Sequence, residues 1–211
     1  MNIIKEIPSE IEETIQQLHE SGMPPADRFY SGGTRRSHIY KIEKYCLKLY
    51  TPEGYNDFED EVEVILALQG KCAPEMYAYS SRRFILTEWI EGLNLEQYKE
   101  KHGHHPPNLI YDWYRTEMEI QNVGFTDSDF KLQDNLLWLP SGDVKRLDFG
   151  VCIPIVDSII EMHEKQLRSK IQEMYDGELK GIKNELRMKG FKKNEADQAI
   201  SNFLAHSPKL I

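Results

Sequence analysis

The sequence predicts an α+β fold in two lobes, a small antiparallel-sheet lobe followed by a reduced, mainly helical one. Three observations predict it. Strand-like runs with one long helix fill the chain to about residue 90, and helical periodicity dominates after Glu91-Gly92. The 211 residues are 40% hydrophobic and 10% aromatic, enough for a packed core. The expectation is one domain over 1–211, with 1–90 as the sheet lobe plus an N-terminal helix, 91–211 as the helical lobe, and a cleft near Ile90 to Gly92.

Pro8 and Ser9 open a helix through about His19, with Ser9 and Glu12 spaced as a capping box and Ile11, Ile15 and Leu18 on one stripe. Strands follow at about Arg28 to Tyr30, Ser37 to Ile42 and Tyr45 to Tyr50, the first two joined by a turn at Ser31-Gly32-Gly33-Thr34. Asn56 starts a helix through about Gln69, ended by Gly70. A strand pair covers Met76 to Ser80 and Phe84 to Trp89. Helices are expected over Leu93 to Lys101 and Pro107 to Val123, and short strands over Leu136 to Leu139 and Val144 to Leu147 around the Pro140-Ser141-Gly142-Asp143 turn. From Ile155 to His206 the pattern is charged and helical, broken near Gly177 and Gly190.

Composition narrows the classes. Against 26 basic residues stand 35 acidic ones, and a net charge of -9 argues against general nucleic-acid binding. No apolar run approaches the roughly 20 residues of a membrane span, and the acidic, interrupted N-terminus does not read as a signal peptide, so a cytosolic protein is expected. Cys46, Cys72 and Cys152 are odd in number and widely spaced in apolar surroundings, as reduced core thiols would be.

Chemistry-bearing residues recur in one order. In 45-YCLKLY-50 an apolar strand carries Lys48, a charge that is costly to desolvate without an anion beside it. In 61-EVEVILAL-68 Glu61 shares a helical face with Val64, Ile65 and Leu68, which makes it the best partner, with Glu59 and Glu63 as neighbours. In 143-DVKRLDFG-150 a strand delivers Asp148 into a turn opened by Gly150. Taken singly, each has an ordinary explanation: a hairpin turn for Gly32-Gly33, a snorkelling lysine for Lys48, a solvated face for the acids.

Together, 29-FYSGGTRRSHIYKIE-43, the Lys48 strand, the Glu61 helix, 84-FILTEWIEG-92, 125-FTDSDFKLQDNLLW-138 and 143-DVKRLDFG-150 resemble the protein-kinase-like fold from Phe29 to Gly150. The resemblance implies ATP and Mg2+ as cofactors. It implies that Gly32, Gly33 and Thr34 cover the phosphates, that Lys48 meets the α and β phosphates while paired with Glu61, and that Asn135 and Asp148 hold the metal. Backbone groups of Glu88 and Ile90 would meet the adenine, with Thr87 behind it. Asp129-Phe130-Lys131 looks like the D-L-K start of a catalytic loop, with Asp129 as base and Lys131 toward the γ-phosphate. Asp129 lies six residues before Asn135 where the usual pattern has five, so Asp127 as base and Asp134 as metal ligand remain open.

No A-P-E element follows Gly150, so the chain looks like a minimal kinase, similar to the RIO and Bud32 families and to small bacterial chains assigned as serine/threonine kinases. The resemblance implies phosphate transfer to a Ser/Thr hydroxyl of an acceptor that the sequence does not name. A small-molecule kinase of the aminoglycoside-phosphotransferase type, and a nucleotide-binding pseudokinase or ATPase within a complex, are the alternatives. His102, His104 and His105 lack further metal ligands in sequence, Trp89, Trp113 and Trp138 read as packing residues, and the basic run from Arg187 to Lys193 reads as a solvated face, with an acidic partner as the alternative.

Overall fold

A computed structural model describes residues 1–26, 29–127, 132–155, 176–177 and 180. Strand β1 (Asn2–Ile3) is followed by α1 (Ser9–Ser21), then by β2 (Tyr30–Gly33), β3 (Ser37–Ile42) and β4 (Tyr45–Tyr50). A 3-10 turn at Pro52–Gly54 leads into α2 (Tyr55–Leu68), and β5 (Met76–Ser80) and β6 (Phe84–Glu88) complete an antiparallel sheet in the order β1-β5-β6-β4-β3-β2.

Alternation along β4 explains how one sheet serves two cores. Tyr45 and Leu47 face a cluster closed by Ile11, Ile15 and Leu18 of α1, while Tyr50 joins a second cluster with Phe58, Val62 and Ile65 of α2. Lys48 shares the Tyr50 parity, so it is carried toward α2. Helix α1 has Pro8 at its N-cap position and no side-chain cap; Ser9 is already helical, so the expected capping box does not form. Helix α2 begins at Tyr55, and Gln69 rather than Gly70 takes the first left-handed conformation after it, with φ 50°.

Beyond the sheet come α3 (Leu95–His102), α4 (Leu109–Asn122), β7 (Phe125–Asp127), α5 (Leu132–Asn135), β8 (Leu136–Trp138), β9 (Val144–Arg146) and β10 (Cys152–Pro154). Helix α3 starts later than expected because Asn94 caps it: its side chain accepts from the Gln97 N–H at 2.9 Å and Gln97 returns a bond to the Asn94 N–H. Leu93 instead exchanges two 2.9 Å backbone bonds with Trp138, tying the segment after β6 to the β8–β9 hairpin. Trp113 and Trp138 are buried together, as expected, whereas half-buried Trp89 lies under the Lys41 ammonium. The short pair of β7 and β10 was not expected; it sets Cys152 opposite Asp127. The helical reading of 155–206 falls almost wholly outside the described residues.

A buried ionic cluster joins these last elements. Arg146 on β9 donates to Glu117 of α4 and to Asp127 at the end of β7, and all three are at most 3% exposed. One guanidinium thus fixes the strand entering the 128–131 stretch against the strand entering Asp148. Cys46, Cys72 and Cys152 are free thiols, and burial pushes Cys46 up to about 11 and Cys72 up to about 12, as inert core thiols require.

Two outcomes follow for equilibrium unfolding. Ile15→Ala, at a fully buried site, is expected to cost about 3 kcal/mol in urea denaturation, from lost transfer energy plus the cavity. Arg146→Met is expected to cost about 3 kcal/mol or more at neutral pH, because two carboxylates stay buried without their cation. Burial already pushes Glu117 up beside Arg146. A carboxyl with a raised folded pKa penalises folding increasingly as pH rises above the unfolded value near about 4.3, and fully above the folded one, so the deficit should shrink as pH falls toward that unfolded value. A deficit independent of pH would contradict the buried-charge origin.

Candidate active site

A cavity of about 710 Å³ opens between the sheet face that carries Lys48 and the segments 134–137 and 147–151. Residues from the β2–β3 hairpin, β4, α2 and 85–90 complete its walls. Its size suits a small-molecule ligand.

Lys48 stands at its centre. The Nζ donates to Glu61 Oε2 at 2.5 Å and to Asp148 Oδ1 at 3.0 Å. Of the acids on α2, Glu61 is the partner because it shares the buried face; Glu59 pairs with Arg82 at the surface and Glu63 is exposed. Burial pulls the Lys48 ammonium toward neutrality, but the two carboxylates outweigh it and hold lysine charged, above its ordinary range. Burial pushes the Glu61 carboxyl up and nearby Asp148 adds to the push, so its ionised form depends on Lys48 and on Tyr50, whose hydroxyl donates to the same Oε2 at 2.5 Å.

Asp148 reaches Lys48 from a strained turn. Its φ of 64° lies in the left-handed region, which costs a non-glycine residue on the order of 1–3 kcal/mol and which Glu43, Gln69 and Arg82 also adopt at turns of this chain. The neighbours on both sides are locked. Phe149 is buried in the cluster beneath α2, and a Cβ on Gly150 would come within 2.6 Å of the Asp57 Cβ, so only glycine allows this approach. Asn135 lies across the cavity at the end of α5, where its carbonyl accepts from the Leu147 N–H at 2.8 Å. Asp134 lines the same wall. An exposed carboxylate and an amide on one cavity fit a hard cation completed by phosphate oxygens and water. Among the described residues no group of three or more His, Cys, Asp or Glu side chains could hold a metal unaided, and His102, His104 and Tyr98 form a ring cluster instead.

Thr87, Glu88 and Ile90 line the cavity where β6 ends. The Glu88 N–H donates to the Glu75 carbonyl at 2.9 Å, which leaves only the Glu88 carbonyl, already touched by the Thr87 hydroxyl at 3.3 Å. Among the described residues the backbone of Ile90 has no hydrogen-bond partner, so its groups are open to a ligand.

The glycine stretch departs from expectation. Gly32 and Gly33 are not in the turn but in β2, opposite Ile39 and His38, and a Cβ at Gly33 would lie 2.6 Å from the Ser37 carbonyl oxygen. Gly33 therefore serves close strand approach. The turn falls at Thr34 to Ser37, where the Thr34 N–H donates to Ser37 O at 2.7 Å and the Thr34 hydroxyl accepts from the Arg36 N–H at 3.1 Å. Gly33 and Thr34 still line the cavity, and Arg35 and Arg36 do so with them.

Asp129 and Lys131 lie outside the described residues. Asp127 is described, and it is committed to Arg146 with 1% exposure, a poor situation for a base that must reach a substrate. Sequence reasoning missed Tyr50, the Arg146 cluster and the paired Arg36 and Asp57. Only Tyr50 left a signal, since two residues after Lys48 on a strand is the same face.

No family model matches the sequence, and no curated protein does. Among solved structures the chain is similar to a crystal structure of WbdD, at 14% identity and TM-score 0.52, over 69% of this chain and 37% of that one. It is similar also to WbdD bound to the kinase inhibitor LY294002, at 15% identity and TM-score 0.51, over 70% and 38%. A further structure, of the bifunctional kinase-methyltransferase WbdD, gives a TM-score of 0.48. The chain spans well under half the length of these structures. At such identity the likeness is one of fold alone: the chain shares the mixed α/β arrangement of these structures over about two thirds of its length.

Proposed function

We propose that the chain is an ATP- and Mg2+-dependent phosphotransferase, a minimal two-lobed serine/threonine kinase of the kind the RIO and Bud32 resemblance implies. The observation that carries it is Lys48 shared between Glu61 and Asp148 on the wall of a nucleotide-sized cavity. In this reading the adenine lies against Thr87 and the open backbone of Ile90, and the phosphates run toward Lys48. Mg2+ held by Asp148 and Asn135 supplies charge neutralisation for the transferring phosphoryl group. Glu61 and Tyr50 fix the ammonium; Asp148, already presented by a strained backbone, needs no rearrangement to face the phosphates. Asp129 orients the acceptor hydroxyl and takes its proton, since Asp127 is spent on Arg146, and Lys131 meets the γ-phosphate.

A second reading, nucleotide binding without transfer, is favoured by the turn amides at Thr34 and Arg36, which bond within their own hairpin instead of standing open. Incubation with γ-labelled ATP and Mg2+, alone and with lysate, separates the two. Transfer is expected from the wild type, with a loss of roughly 100-fold or more in Asp148→Ala and Asp129→Ala. Undiminished transfer by Asp148→Ala would sink the kinase reading. Thermal stabilisation by ATP with no label transferred would select the second.

A further inference from the structure

The cations at the tip of the β2–β3 hairpin do not belong to any role assigned above. Arg35 and Arg36 both line the cavity. The third described cation on its walls, Lys48, is committed to Glu61 and Asp148. The turn amides of Thr34 and Arg36 are engaged within the hairpin, and among the described residues only the Arg35 N–H between them has no partner to give up to an incoming polyanion. Side chains have to do what amides do not.

We propose that Arg35 and Arg36 form the polyphosphate-recognition element of this cavity, contacting the outer phosphates of a nucleotide through their guanidinium groups. The inference rests on the nucleotide reading above and names the group that reads phosphate number within it. Three observations support it. Among the described residues the Arg35 side chain has no hydrogen-bond or ion-pair partner, although the residue is exposed at the cavity. Arg36, whose side chain is 58% exposed, donates from one Nη1 to both oxygens of half-buried Asp57 at 3.0 and 3.3 Å, which leaves the rest of its guanidinium fork free to turn to a further anion. The tip is also preorganised. Thr51 donates its hydroxyl to the Arg35 carbonyl at 2.5 Å and its N–H to the Arg36 carbonyl at 2.9 Å, so both guanidinium stems start from a fastened backbone. A planar, permanently charged fork matches phosphate geometry better than an amine.

Arg36 would then pass between two anions, Asp57 and phosphate, as the cavity fills. Specificity for ATP over AMP would reside in two side chains rather than in glycine amides.

Calorimetric titration of the full chain with ATP, ADP, AMP and adenosine, in the presence of Mg2+, tests this. In Arg35→Ala and Arg36→Ala the affinity for ATP is expected to fall about tenfold each, as loss of a charge-assisted hydrogen bond implies, with adenosine binding unchanged. Adenosine binding reports that each variant is folded, and Arg35→Ala, which breaks no side-chain hydrogen bond or ion pair among the described residues, keeps the test open if Arg36→Ala does not fold. Wild-type discrimination between ATP and adenosine retained in Arg35→Ala and the double variant would overturn the proposal while leaving the nucleotide reading intact. Failure of the wild type to bind ATP, AMP or adenosine would overturn both.

Discussion

The Lys48 ammonium, shared between Glu61 and Asp148, is the contact on which the arrangement of this protein depends. It gathers a central strand, a helix on the sheet face and a turn a hundred residues further along the chain. A charge so placed is costly to desolvate, and its two acids answer that cost in different ways. Glu61 is buried and supported by the Tyr50 hydroxyl, so it fixes position; Asp148 is 53% exposed at the cavity and can respond to what enters. An ammonium between one fixed and one accessible carboxylate suits a site that must accept further anions.

The Arg146 cluster is built on the same plan with the opposite purpose. Again one cation answers two acids from different elements, but here all three groups are sealed from water. Sealed charges have no ligand to exchange for, and their loss leaves unpaired neighbours in the core. What the cluster contributes is geometry: it sets β7 against β9, and those strands lead into residues 128–131 and into Asp148. The two ionic centres are thus complementary, one presenting charge and the other aligning the strands that bring it there.

Much of this was legible in the sequence wherever local periodicity governs. Alternation in 45-YCLKLY-50 placed Lys48 and helical spacing chose Glu61 over Glu59 and Glu63, because both depend on residues within one element. The short runs on either side of Pro140-Ser141-Gly142-Asp143 anticipated a hairpin, which exists. The misses have a common cause. Gly32 and Gly33 look like a turn from their flexibility, but the approach of Ser37 and His38 across the strand pair decides their conformation. The Asp127–Arg146–Glu117 cluster unites residues up to 29 positions apart, and no periodicity announces such a pairing. The start of α3 shifted for a smaller reason: the Asn94 side chain accepts from the Gln97 N–H, and a side-chain cap outweighs the apolar residue one step earlier.

The contact of Gly150 with Asp57 acts on motion in one direction only. At that point the turn after Asp148 and the first turn of α2 are in contact with no room for even a methyl group between them. The helix is therefore seated against a hard stop. Closer approach is blocked there, and any displacement of the helix away from the turn would part Glu61 from Lys48 and uncover Phe149 together. The closest seating of α2 on this turn is thus the one in which the Lys48–Glu61 ion pair is made.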